Sequence, residues 1–133
     1  MAYLIDSDWV IDHLSNIPTA VDLPTRLARE GIAISIITYM ETYQGVLRSP
    51  NPVAAEAAPE AFVLAVPVLT IFQAVARRYA QVRETLRAQG RRVNQCALDR
   101  IIATTALEHD LIIVTRNQED YSGISTLQVY QTS

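Results

Sequence analysis

The chain has 133 residues, half of them hydrophobic, with a formal net charge of −3 and a mean hydropathy of +0.13. That length accommodates one domain with a real core, residues 1–133, and no apolar run is long enough to span a bilayer. A single cysteine excludes an internal disulfide and any cysteine-based zinc cluster, while the high apolar content predicts that some surface is covered by a partner chain.

The opening Met1-Ala2-Tyr3-Leu4-Ile5-Asp6 has neither a basic stretch nor a cleavage site, which predicts a cytoplasmic protein. Tyr3 to Ile5 reads as a short buried strand, followed by a helix from Ser7 to Leu14. A second helix, Ala20 to Arg29, is expected to end at Gly31. Ile32 to Ile37 is apolar and rich in β-branched residues, the pattern of a buried strand. Thr38 then offers a helix N-cap, with Glu41 three residues on completing a capping box, and the helix is predicted to run to Arg48. Ser49-Pro50-Asn51-Pro52 breaks it. An Ala-rich helix follows from Val53 to Ala65, with Pro59 inside it. Its Ala54, Ala58, Phe62 and Ala65 form an apolar face for the core or a partner.

Val66 to Leu69 reads as a strand, and Thr70 as the cap of a long helix from Ile71 to Gln89, closed by Gly90. Arg91 to Gln95 is a predicted loop, and Ala97 to His109 the next helix, with Leu98, Ile101, Ile102, Thr105 and Ala106 along one stripe. Leu111 to Val114 is another continuous apolar strand. A loop with one helical turn spans Thr115 to Gly123, and Leu127 to Tyr130 is an edge strand. Buried strands alternating with helices argue for a mainly parallel sheet of four or five strands covered on both faces, a three-layer α/β/α fold.

Cys96 is expected to be a small core residue. His13 and His109 have no partner at metal-ligand spacing, which excludes an H-E-x-x-H zinc hydrolase. All 11 basic residues are arginine, and seven of them, Arg77, Arg78, Arg83, Arg87, Arg91, Arg92 and Arg100, crowd into one quarter of the chain. Taken alone, such a group reads as a solvated helix face, although arginine also suits phosphate.

In sheets of this kind, ligands sit beyond the carboxyl ends of the strands. Asp6 follows the first strand, Glu41 lies just after the second, and Thr115, Asn117 and Asp120 follow the fourth. Asp99 opens the helix leading into the fourth strand. Gathered carboxylates repel one another unless cations screen them, and oxygen donors without His or Cys suit Mg²⁺ or Mn²⁺. Each acid alone has a plain structural reading as a cap or first-turn residue, whereas all of them together at strand ends favour a metal site.

Four blocks carry a family resemblance. Tyr3-Leu4-Ile5-Asp6-Ser7-Asp8-Trp9-Val10-Ile11 resembles the opening motif of PIN-domain proteins. Ser35 to Val46, containing Glu41 and Gly45, is similar to the second motif, Leu98 to Ala106, containing Asp99, to the third, and Leu111 to Tyr121 to the fourth. In order, the four blocks span nearly the whole chain. The resemblance implies a PIN-like fold and an Mg²⁺- or Mn²⁺-dependent endoribonuclease, closest to the VapC toxins of VapBC toxin–antitoxin pairs, which cut tRNA or rRNA and are silenced by a VapB-like antitoxin. It implies water attacking in line on the RNA phosphodiester, and Asp6, Glu41 and Asp99 as metal-binding carboxylates. Asn117 stands where many relatives carry an acid, leaving either Asn117 or Asp120 to complete the set. Ser7 and Thr115 would support by hydroxyl bonds and Asp8 would orient the site. Arg116, Arg100, Arg91 and Arg92 would contact RNA backbone or an acidic stretch of the antitoxin. A homodimer is expected as well.

Two other readings compete. A PIN-like protein that binds RNA or a partner without cutting would not need to keep mutually repelling acids. A haloacid-dehalogenase-like phosphatase would share Asp6-Ser7-Asp8, as a receiver domain would share acids at strand ends, but both need a basic residue over the pocket, usually lysine, and the chain has none.

Overall fold

A computed structural model describes residues 2–14, 24–92, 96–121, 123–124 and 126–130. Its elements are β1 (Tyr3–Ile5), α1 (Ser7–Leu14), β2 (Ile32–Ser35), α2 (Ile36–Leu47), α3 (Pro52–Ala55), α4 (Ala57–Ala65), β3 (Val68–Leu69), α5 (Gln73–Ala88), α6 (Ala97–Glu108), β4 (Ile112–Val114) and a 3₁₀ turn at Gln118–Tyr121. The strands pair in parallel in the order β3-β2-β1-β4. The expected fifth strand at Leu127–Tyr130 is reduced to a parallel bridge between Val129 and Ile113.

Successive strand residues point to opposite faces, and both faces are apolar. Leu4, Ala33 and Ile113 face one way and pack with Ile102, Ala103 and Ala106 of α6. Ile5, Ile34 and Val114 face the other way and pack with Trp9 and Val10 of α1 and, more loosely, Phe62 and Val63 of α4. This makes the fold the three-layer α/β/α arrangement read from the sequence. Among the described residues, no helix is long and apolar enough to cross a membrane.

Several boundaries differ from expectation for local reasons. β2 stops at Ser35, because the Ser35 hydroxyl accepts from the amides of Ile37 and Thr38 and starts α2 three residues earlier than a Thr38 cap would. Thr38 is therefore a buried helical residue, not an N-cap. The predicted 53–65 helix is two pieces. Asn51 caps α3 with Pro52 in its first turn, and Pro59 falls in the first turn of α4, where its missing N–H costs no helical bond. α5 begins after Phe72 without a side-chain cap, so Thr70 does not play that role. The predicted helix at 20–29 lies partly outside the described residues, whose share of it is a helical turn at 24–27. The end of the 91–95 loop is likewise outside them. Leu98, expected on the core stripe of α6, is 45% exposed.

The Ser35 cap is expected to be the costlier of the two candidates. Ser35→Ala should lower stability in urea unfolding by about 1–2 kcal/mol. Thr70→Ala should stay within about 0.5 kcal/mol, as for an exposed residue away from any such feature.

Candidate active site

In a sheet ordered β3-β2-β1-β4, the chain winds outward in opposite directions on either side of the β1–β4 pair, and a crevice opens beyond their carboxyl ends. Asp6 stands there as the first residue after β1, its amide bonded to the Val114 carbonyl at 2.9 Å. The Asp6 carboxylate is 3% exposed and well supplied with donors. The Ser7 amide donates to Oδ1 at 2.7 Å, while the hydroxyls of Thr115 and Tyr121 donate to Oδ2 at 2.7 and 3.0 Å.

Glu41 reaches the same region because α2 starts at Ile36, which puts Thr38 and Glu41 one turn apart on one helix face. The Ser7 hydroxyl donates to Glu41 Oε1 at 2.7 Å and lies 3.2 Å from Thr38 Oγ1. Asp99 sits in the first turn of α6. Burial first, then the charge of Asp6, a hydrogen bond with Asp120 and the charges of Asp120 and Glu41, push the Asp99 carboxyl up to about 7. Asp120, on the 3₁₀ turn, is therefore the acid that joins the cluster. Asn117 instead donates its backbone amide to Thr115 Oγ1 at 3.0 Å.

Asp8 lies just outside the cluster. Its Oδ2 accepts from the Arg116 amide at 3.0 Å and its Oδ1 from the Trp9 amide at 2.7 Å. Burial and the nearby Asp6 raise its pKa, partly offset by those two amides. Asp8 thus pins the turn after β4 against the start of α1.

One expectation is corrected here, and two of the arginines are placed. Cys96 is exposed, not a core residue, because it occupies the left-handed position before α6 at φ 55°. Its thiol donates to Asp120 Oδ1 at 3.5 Å. Arg100 is only 8% exposed. Arg116 is exposed, lies over the Trp9 ring, 4.1 Å from its centroid, and pairs with Asp12 at the surface. Arg91 and Arg92 remain exposed.

Tyr121 was not a sequence candidate. Its aromatic ring reads as core, and only the fold brings its hydroxyl to a residue 115 positions away. Burial and the adjacent Asp6 hold that hydroxyl well above the usual tyrosine range.

The donor set fits a hard divalent cation. Asp6, Glu41, Asp99 and Asp120 offer carboxylate oxygens, with ligand atoms of Asp99, Asp120 and Cys96 within 4.8 Å of one another. A carboxyl raised to near 7 reflects burial first and then the other negative charges gathered beside it.

A family model described as PIN domain matches residues 3–123. The tRNA(fMet)-specific endonuclease VapC of Shigella flexneri is 31% identical over 128 residues, 96% of each chain. Among solved structures, DNA-bound VapBC from Salmonella typhimurium superposes with a TM-score of 0.86 at 26% identity, covering 98% of this chain and 97% of that one. VapBC-1 from nontypeable Haemophilus influenzae gives 0.83 at 27% identity over 98% of both chains. These likenesses leave the dehalogenase-like phosphatase reading without support.

Proposed function

The chain belongs to the PIN-domain family, and on that premise we propose that it is the toxin endoribonuclease of a type II toxin–antitoxin pair. It hydrolyses RNA phosphodiester bonds at Asp6, Glu41, Asp99 and Asp120, with Mg²⁺ or Mn²⁺ as cofactor. The observation that carries this reading is the convergence of four acids from four segments on the β1–β4 crevice, where burial and then the charges of the other three raise Asp99 to about 7. Residues 1–133 act as one domain, since both apolar clusters share a single sheet.

Asp6, Glu41, Asp99 and Asp120 would hold the cation, which when bound neutralises charge on the phosphodiester and lowers the pKa of a water. Thr115 fixes Asp6, and Ser7 fixes Glu41, so the two carboxylates arrive pre-oriented. Asp8 and Arg116 hold the turn that carries Thr115. Arg91, Arg92 and Arg116 are the exposed members of the expected RNA-contact set. The name of the Shigella relative supports tRNA as the substrate class, and such a substrate places the enzyme in the cytoplasm.

An antitoxin partner is supported by the VapBC assemblies among the similar structures. It is also supported by apolar side chains left open on α2 to α4, with Met40 51%, Leu47 60%, Val53 84% and Leu64 89% exposed. Ala54, Ala58 and Ala65 are exposed on the same stretch, so the face expected to serve core or partner serves the core only through Phe62. A VapB-like chain, together with a second copy of this one, would cover it.

The test is incubation of the purified chain, free of any co-expressed partner, with total tRNA and rRNA in Mg²⁺, in Mn²⁺ and in EDTA. Asp6→Ala, purified in parallel, controls for contaminating ribonuclease. Discrete cuts that require metal and vanish in the variant are the expected result. Cutting that persists in EDTA overturns the metal role, and a wild type that binds Mn²⁺ as weakly as Asp6→Ala moves the chain to the non-cutting class.

A further inference from the structure

A carboxylate has two oxygens and about four lone-pair sites. On Asp6 three are filled from within the chain: the Ser7 amide takes one on Oδ1, and the Thr115 and Tyr121 hydroxyls take both on Oδ2. Among the described residues, one site, on Oδ1, is left. We infer that Tyr121 is a positioning residue: together with Thr115 it saturates Asp6 Oδ2, so that Asp6 meets a divalent cation through a single lone pair of Oδ1. This rests on the metal-centre reading above and adds to it the way one ligand is presented.

The surroundings of both hydroxyls favour this role. The Tyr121 ring is 3% exposed and packs with Leu4, Ile37, Ile102 and Ile113, so its position is fixed by the core. A phenylalanine would satisfy that packing. What tyrosine adds is a buried hydroxyl, which must find an acceptor and finds Asp6. The Thr115 hydroxyl is equally committed, for the Asn117 amide donates to its oxygen and leaves its one proton for Asp6. Two donors arriving on one oxygen from the turns after β4 stop the Asp6 carboxylate from rotating to offer both oxygens to a cation. They also tie the geometry of the first strand's end to the folding of residues 118–121.

Tyr121→Phe removes the hydroxyl and keeps the ring. Titrating metal-free protein with Mn²⁺, followed by the electron paramagnetic resonance of the free ion, should show binding weakened about tenfold or more. In cleavage assays kcat should fall while KM for RNA holds. Ile124→Val trims the same core cluster without touching a carboxylate, and should lower the melting temperature with Mn²⁺ affinity unchanged. Wild-type affinity in Tyr121→Phe overturns the inference and leaves the metal centre standing, whereas a wild type that binds no Mn²⁺ overturns the metal centre and the inference with it. Should Tyr121→Phe fail to fold, the Asp6→Ala background decides. There the hydroxyl has lost its acceptor, so adding Tyr121→Phe should cost no further melting temperature, and an undiminished loss overturns the inference.

Discussion

Asp99→Asn is expected to reduce RNA cleavage by about a thousandfold or more and, in metal-free buffer at pH 7.5, to raise the melting temperature by about 7 °C. The two effects have one cause. The folded chain holds Asp99 near a pKa of 7, through burial and the charges of Asp6, Asp120 and Glu41. An unfolded aspartate titrates near 4. At pH 7.5 the folded protein must therefore carry a charge that it resists, and solvent screening at this half-buried carboxyl brings the full linkage down to about 2 kcal/mol. Asparagine keeps the shape and removes that cost, which for a domain of this size corresponds to several degrees. The same substitution deletes a cation ligand. The cation's charge stabilisation of the transition state is worth several kcal/mol, at about 1.4 kcal/mol per tenfold in rate. Calorimetry and a cleavage assay on the same preparation check both halves. A variant that is both inactive and less stable would show that Asp99 supports the fold rather than bearing its strain.

The positions of the acids were legible in the sequence because each follows a run whose pattern is hard to misread. Ile5-Asp6 and Val114-Thr115 mark strand ends by the loss of apolar character, and a parallel sheet sends such ends to one edge. Less legible was anything decided by competition between neighbouring hydroxyls. Ser35 and Thr38 are both plausible caps, and the capping-box spacing from Thr38 to Glu41 favoured the wrong one. Ser35 wins because β2 delivers it fully buried, with the Ile37 and Thr38 amides in reach. Glu41 is consequently free of capping and available to Ser7. Asp120 and Asn117 could not be ranked from spacing either. The 3₁₀ turn decides between them by bringing Asp120 back to Asp99, while Asn117 uses its backbone amide on Thr115. Side-chain partnerships across the sheet, such as Tyr121 with Asp6 or Arg116 with Trp9, leave no periodic trace at all.

Divalent metal and pH should act on the same carboxyl in opposite senses. A raised folded-state pKa on an acid means that the native state binds the extra proton, so this contribution favours folding at low pH and is lost as pH climbs through 7. Metal-free protein should thus lose melting temperature between pH 5.5 and pH 7.5, contrary to the usual behaviour of a salt-bridged aspartate. A cation needs the same oxygen without its proton. At pH 7.5, Mn²⁺ at a hundred times its dissociation constant should add about 2.7 kcal/mol, or about 10 °C. At pH 5.5 the solution is about 1.5 pH units below the pKa of Asp99, so the proton it holds weakens apparent affinity about thirtyfold and leaves the same Mn²⁺ concentration worth about 3 °C. The melting curves with and without metal should therefore converge in acid and separate at neutral pH, and in Asp99→Asn their separation should lose most of its pH dependence. A metal increment equal at both pH values in the wild type would detach Asp99 from the cation. A flat response to metal at pH 7.5 would count against the whole carboxylate centre, because a cation bound there must favour the native state.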